Sequence, residues 1–310
     1  MDGSLPPADH THGPARRRSL ASPIGCAGVG LHSGQPVRLT LRPAEAGVGI
    51  LFRRVDLGIE IPAHVDSVQD SRLNTTIAAG GARVGTIEHV MAALAGAGVD
   101  DAIVEVDGPE VPILDGSAEP FLFLIRCAGV RRSHLPRRTI EVLKTVRVQD
   151  GEAWAELSPS VLPGFEASMT IAFDAAAIGR QSLSLRVTED SFSRRLADSR
   201  TFTTAEDVAH ARAAGFAKGG SLDNAVVVDG AMVLNPGGLR HADEFVRHKL
   251  LDAVGDLALA GAPIRGRFTG HRSGHALNVR VLRALFADAA AWRMSGPREA
   301  APLIIASAAG

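Results

Sequence analysis

Residues 243–261, D-E-F-V-R-H-K-L-L-D-A-V-G-D-L-A-L-A-G, constrain the fold of this chain more than any other stretch. On a helix turning about 100° per residue, His248, Asp252 and Asp256 fall four residues apart along one narrow stripe. Val246, Leu250, Ala253, Val254 and Leu257 cover the opposite face, and Phe245, Leu251 and Leu259 flank the stripe. Little circumference is left for water, so the pattern predicts a helix buried nearly all round. Ionisable groups on such a helix are costly unless something compensates them, and a bound cation uses a neutral imidazole and a carboxylate together. The stripe is therefore a candidate metal site. The competing reading is an ordinary i,i+4 pair on a solvated face, worth on the order of a few tenths of a kcal/mol.

The rest of the chain limits which chemistry can be built. Its 310 residues, 45% hydrophobic and 22% charged, suit a globular protein with room for two domains. A formal net charge of −1 and the lack of a basic run interleaved with aromatics argue against a nucleic-acid partner. No stretch reaches the ~18 apolar residues that would suggest a membrane span. Cys26 and Cys127 stand far apart with no C-x-x-C spacing, which suits a reducing cytoplasm and leaves no thiolate metal site. Any metal must be held by histidines and acids.

Read in order, residues 1–19 are rich in Pro, Gly and charge and are expected to form a loose tail. From residue 20 short strands follow, with Val37, Leu39 and Leu41 alternating against Arg38, Thr40 and Arg42. T-I-E-H-V-M-A-A-L-A-G then reads as a helix with Thr86 as N-cap and Gly96 and Gly98 at its end. A strand A-I-V-E-V-D and a helix over 118–128 complete a first domain, 20–130. Residues 131–138, charged and holding a proline, read as a linker. A second domain, 139–295, repeats the order of strands then helices, including a helical stretch over 204–214; a tail, 296–310, closes the chain. The expected fold is α+β: two similar domains, each a layered strand-and-helix sandwich, packed face to face with the active site between them.

Two further constellations carry chemistry. Glu88 and His89 sit in the first turn of the first-domain helix, where the partial positive charge of the N-terminus favours a carboxylate and a neutral imidazole. Those are the states a general base and a metal ligand need; a capping acid beside a structural histidine is the plainer alternative. G-H-R-S-G-H-A-L-N places His271 and His275 in a glycine-bearing turn between a strand and a helix. Lacking the G-K-[ST] ending, it is no phosphate loop.

The motifs T-I-E-H-V-M-A-A-L-A-G, E-V-P-I-L-D-G-S-A, S-R-T-F, D-E-F-V-R-H-K-L-L-D-A-V-G-D-L and S-G-H-A-L-N occur in that order between about residues 20 and 292. Together they resemble the bacterial UDP-3-O-acyl-N-acetylglucosamine deacetylase family, the zinc amidases of lipid A synthesis. The resemblance implies one Zn2+ per chain, held by His89, His248 and Asp252, with Glu88 as general base and His275 as the acid that Asp256 orients. It further implies a Thr201 hydroxyl at the oxyanion, Lys249 at the substrate, and acid and base on opposite sides of the metal. Lys144, Asp207, Phe202, Gly274 and His32 match positions around the nucleotide, the sugar or the site wall. The implied substrate is acylated UDP-N-acetylglucosamine, handled by a monomer in the cytoplasm, with an acyl-chain channel built from segments around 173–192. Departures from the pattern are T-F-T-T where the family often has T-F-G-F, and Asn74 where some members carry a cysteine near the metal. Two histidines and one carboxylate also describe a non-haem iron site, and a nucleotide-sugar sensor would keep the fold. Glu88 beside the ligands favours hydrolysis over either.

Overall fold

The computed structural model describes residues 15–70 and 73–297; the first 14 residues of the expected N-terminal tail and residues 298–310 of the C-terminal one lie outside the described residues. Among the described residues six α-helices, α1 (Glu88–Gly96), α2 (Glu119–Ala128), α3 (Glu189–Arg195), α4 (Ala205–Ala213), α5 (Glu244–Leu257) and α6 (His275–Ala287), combine with mostly antiparallel sheets into an α+β fold.

The first half is a five-stranded sheet in the order Ile24–Val29, Pro36–Pro43, Ala102–Val106, Ile50–Arg54, Ile59–Pro62. The alternation in Pro36–Pro43 is realised: Val37, Leu39 and Leu41 point into the core and Arg38, Thr40 and Arg42 away from it. The second half is a seven-stranded sheet centred on Ile264–His271, which pairs with Ala153–Ser158, Phe165–Ala172 and Thr139–Val142. α5 lies across Phe165–Ala172 and Arg180–Val187, α6 covers Val146–Asp150 and Ala153–Ser158, and α1 packs on both α2 and α5. Helices of the two halves thus meet between the sheets. The layers share a plan but not a strand order.

The closest meeting is between α1 and α5. A Cβ at Gly255 would stand 2.0 Å from the Glu88 carbonyl oxygen and 3.1 Å from the Ala92 nitrogen, so the two backbones touch. Only glycine permits that approach. At the other end of α1, the fully buried Phe192 of α3 lies over Gly96, whose missing side chain makes room for the ring.

Several local expectations change. Arg16–Leu20 is no loose tail, and the linker 131–138 is mostly strand: Arg16–Leu20 and Val130–Pro136 pair as an antiparallel ribbon. The Arg17 guanidinium on the buried Asp101 carboxylate, 2.6 Å at its nearest, ties the ribbon to the first sheet. Arg18 and Arg137 likewise pair with Glu189 and Asp100, while Arg131 and Arg132 stay exposed. Thr86 is not an N-cap; Ile87 takes that position, and Thr86 itself has φ +55°. For a β-branched residue this conformation is strained. Its hydroxyl offsets the strain, donating to Glu110 Oε1 at 2.8 Å and accepting from Asn74 Nδ2 at 2.9 Å. In the second half, Thr204 caps α4 as a Thr should, accepting from the Asp207 amide at 3.0 Å.

Candidate metal and proton-transfer site

α5 delivers His248, Asp252 and Asp256 at 2%, 2% and 0% exposure, as its apolar surroundings require. α1 delivers Glu88 and His89, also buried, across the Gly255 crossing. His89 Nε2 lies 3.6 Å and His248 Nε2 3.3 Å from Asp252 Oδ1, and one ligand atom from each of the three residues falls within 4.8 Å of the others. His248 Nδ1 is 3.0 Å from the Ser199 carbonyl oxygen; a proton donated there leaves the Nε2 lone pair for the cluster. Asp252 Oδ2 accepts from Lys249 Nζ at 3.0 Å, but the buried Oδ1 has no hydrogen-bond partner. A buried carboxylate oxygen facing two imidazole nitrogens and nothing else is an uncompensated acceptor. The donor set therefore fits a divalent transition-metal ion.

The charge states agree. Burial pushes His248 down to about 4, so the imidazole is neutral and able to ligate. Burial alone would raise the Asp252 carboxyl, but His248, Lys249 and His275 more than reverse this and hold it well below the usual range. Lys249, although burial disfavours its charge, is raised by Asp252 and stays an ammonium.

Beside this triad stand two proton-carrying groups. Glu88 Oε2 accepts the Thr75 backbone N–H at 3.0 Å, and Oε1 faces His275 Nε2 at 3.9 Å. His275 opens α6 and places Nδ1 2.9 Å from Asp256 Oδ2, which also accepts from Asn278 Nδ2 at 2.9 Å. Thr75 donates its hydroxyl to Asp256 Oδ1 at 2.6 Å. Burial lowers the imidazole, yet Asp256, Glu88 and Asp252 around it raise it to about 9, so it is an imidazolium at neutral pH. Glu88 differs from expectation: burial outweighs the nearby cationic charge, and its carboxyl is raised rather than held low by the helix N-terminus. Base and acid lie close together, Glu88 Oε1 3.9 Å from His275 Nε2, where opposite charges support each other.

The site opens into a cavity of ≈ 880 Å³ whose lining includes His32, Thr201, Phe202, Asp207, Lys249 and Gly274. Thr201 is fixed by its amide on the Gly116 carbonyl and its own carbonyl on the Val226 amide, both at 2.8 Å. Phe202 stacks edge-on against Phe245, Phe173 and His248. The lining continues along α4 and the residues after it, where the apolar Val208, Ala211, Phe216 and Leu222 stand among the polar Asp207, His210 and Arg212. Phe173 and Ile178 contribute, but Phe192, the far limit of the expected channel segment, is instead a core residue under α1. Lys144 does not line the cavity; it is exposed, with Nζ 3.8 Å from Asp288 Oδ2. His271 stacks on Trp154 outside the site.

Over residues 17–287 the chain matches the family model described as UDP-3-O-acyl N-acetylglycosamine deacetylase. The chain belongs to this deacetylase family. Relatives bearing the name UDP-3-O-acyl-N-acetylglucosamine deacetylase agree along nearly their full length. One from Anaeromyxobacter sp. (strain Fw109-5) is 50% identical over 272 residues, 88% of this chain and 89% of the relative. One from Acidithiobacillus ferrooxidans (strain ATCC 53993 / BNL-5-31) is 48% identical over 281 residues, 89% and 92%. Among the described residues of this deacetylase-family chain, no helix is long and apolar enough to cross a membrane.

Three residues that hold the site were not found from sequence. Ser199 acts through a backbone carbonyl, which carries no residue signature. Thr75 sits in the loop where only Asn74 attracted notice, 181 positions from the aspartate it touches. Asn278 stood in the S-G-H-A-L-N motif, and its i+3 spacing from His275 on one helix face was the available signal.

Proposed function

We propose that this chain is a zinc-dependent amidohydrolase that removes the N-acetyl group of UDP-3-O-(3-hydroxyacyl)-N-acetylglucosamine, releasing acetate and the free 2-amine, the committed step of lipid A synthesis. The observation that carries the reading is a carboxylate and an imidazolium 3.9 Å apart beside a buried His–His–Asp cluster, at the inner end of a largely apolar cavity. Family membership supports the substrate.

His89, His248 and Asp252 would hold one zinc ion. When bound, zinc supplies a Lewis acid that polarises an amide carbonyl and acidifies a water. The protein groups then divide the proton work. Glu88, with Oε2 occupied by the Thr75 amide, has Oε1 free to accept the water proton as oxygen adds to the acetyl carbon. His275, held through Nδ1 on Asp256, presents Nε2 to protonate the amine nitrogen as the C–N bond breaks. Thr201, on a loop pinned at both backbone ends, offers its hydroxyl to the developing oxyanion. Lys249 serves as a cation at the cavity wall, while His32, Phe202, Asp207 and Gly274 contact the substrate, and the acyl chain follows the apolar residues Val208, Ala211, Phe216 and Leu222.

We assign the domains as 20–130 and 139–295, joined through 131–138. The whole site comes from one chain, which supports a monomer, and two free cysteines and a nucleotide-linked substrate support the cytoplasm. The test is metal content with acetate release from the acylated UDP-sugar, before and after chelation and zinc return. Zinc near one per chain with activity that follows it is expected; zinc without acetate release would sink the deacetylase, and activity restored by iron alone would sink the zinc assignment.

A further inference from the structure

Thr75 is completely buried and makes two hydrogen bonds that nothing in the proton-transfer chemistry requires of one residue. Its backbone N–H donates to Glu88 Oε2 at 3.0 Å, and its hydroxyl donates to Asp256 Oδ1 at 2.6 Å. Its carbonyl accepts from the Ile87 amide at 3.3 Å, which seats the loop on the start of α1. The residue belongs to the first half and the aspartate to the second. Among the described residues, Thr75 alone bonds both the carboxylate of the base and the carboxylate that orients the acid.

We propose that Thr75 is a positioning residue that sets base and acid in register across the joint between the two halves. The inference rests on the proposed roles of Glu88 and His275. Each carboxylate has one oxygen tied to Thr75 and the other directed at His275, with Glu88 Oε1 facing Nε2 at 3.9 Å and Asp256 Oδ2 bonded to Nδ1 at 2.9 Å. Asp256 Oδ2 also takes the Asn278 amide, and Asn278 Oδ1 in turn accepts the Ser273 hydroxyl at 2.7 Å. That side is anchored within α6 and the turn before it, so among the described residues Thr75 supplies the only tie on Oδ1. Without the hydroxyl, the Asp256 carboxylate is held at Oδ2 alone and can pivot about that oxygen, which loosens the aim of His275. The backbone amide, by contrast, survives any side-chain change and keeps Glu88 in place. Substitution therefore separates acid from base: metal binding and substrate binding persist while the proton-delivery step slows. Charge-assisted bonds of this length are among the stronger kind, and misplacement of a reacting group by about 1 Å costs up to a hundredfold.

The test compares Thr75→Val, Thr75→Ala and Thr75→Ser in the full chain loaded with zinc. For Val and Ala we expect kcat to fall about ten- to a hundredfold with KM within about twofold and zinc content unchanged; Ser, which keeps the hydroxyl, should recover to within about threefold. Should Val fail to fold, Ala leaves space for water and carries the comparison. Independently of turnover, the downfield His275 Nδ1 proton resonance should move or broaden in Val and Ala but not in Ser. Wild-type kcat in Val or Ala, an equal loss in Ser, a rise in KM with kcat retained, or an unmoved resonance would each overturn the proposal. Absence of acetate release from the wild-type protein would instead defeat the deacetylase reading, and the resonance would still judge Thr75.

Discussion

Gly255→Ala separates two physical effects that predict opposite signs. Inside a helix, replacing glycine by alanine gains about 1 kcal/mol from backbone propensity. At this position the new methyl carbon would stand 2.0 Å from the Glu88 carbonyl oxygen, whereas real contacts of this kind stay above 3.0 Å, so α1 and α5 must part by about 1 Å at their crossing. The obstruction is helix backbone, which cannot rotate aside as a side chain would. Overpacking of this sort costs about 1–3 kcal/mol, which cancels or exceeds the propensity gain. The larger effect falls on the site, because α1 carries Glu88 and His89 while α5 carries His248, Asp252 and Asp256. A shift of about 1 Å between those groups should lower kcat/KM roughly a hundredfold, about 2.7 kcal/mol of transition-state stabilisation, and weaken metal retention. Urea unfolding, zinc titration and acetate release on the same preparation check all three. A variant stabilised by about 1 kcal/mol with wild-type kcat/KM would refute the backbone contact and the argument built on it.

Other perturbations follow from the same geometry. His248→Ala should lose both metal and activity, whereas Glu88→Ala should keep metal and lose most turnover; near-normal turnover in Glu88→Ala would remove the base assignment. The rate should trace a bell against pH. The acid limb lies above the ordinary carboxylate range because burial raises Glu88, and the alkaline limb falls as pH rises through the His275 value of about 9. A cation at the triad moves both limbs toward lower pH, so a rate still climbing at about pH 10 would exclude His275 as the acid. Arg200→Met leaves Glu244, buried at the start of α5 and bonded by Arg200 Nε at 2.9 Å, without its cation, and should cost about 3–5 kcal/mol in urea unfolding. Burial pushes Glu244 up, but Arg200 and the Arg200 and Arg240 amides more than reverse it, so its folded value lies below the unfolded one. Its contribution is thus complete above the unfolded value of about 4.3 and fades as pH falls through the folded one. A loss in Arg200→Met that persisted unchanged in strong acid would contradict this.

What could be read in advance, and what could not, follows from the range over which each interaction acts. The α5 stripe was legible because helical periodicity converts sequence spacing directly into a shared face. His248, Asp252 and Asp256 needed no knowledge of the rest of the chain, and Val37, Leu39 and Leu41 declared a strand by the same logic with period two. Conversely, the ribbon of Arg16–Leu20 with Val130–Pro136 was read as tail and linker because its charges looked solvated when their partners, such as Asp101, lay more than eighty residues away. Lys144 stands outside the cavity lining, exposed and near Asp288, and its match to the family pattern carries no signal of which groups it meets in the fold. Glu88 shows the subtler case. Its position in the first turn of α1 suggested stabilised negative charge, but that effect fades within a turn and is modest beside complete burial, a property of α5 closing over α1 rather than of the helix itself. Gly255 joins the two scales. Within its own helix it is an unfavourable residue with no evident purpose, and only the arrival of the Glu88 carbonyl from the other half explains it. The contacts that aim the site, through Gly255, Thr75 and Ser199, are mostly between elements distant in sequence and partly through backbone atoms, so neither residue type nor spacing announces them.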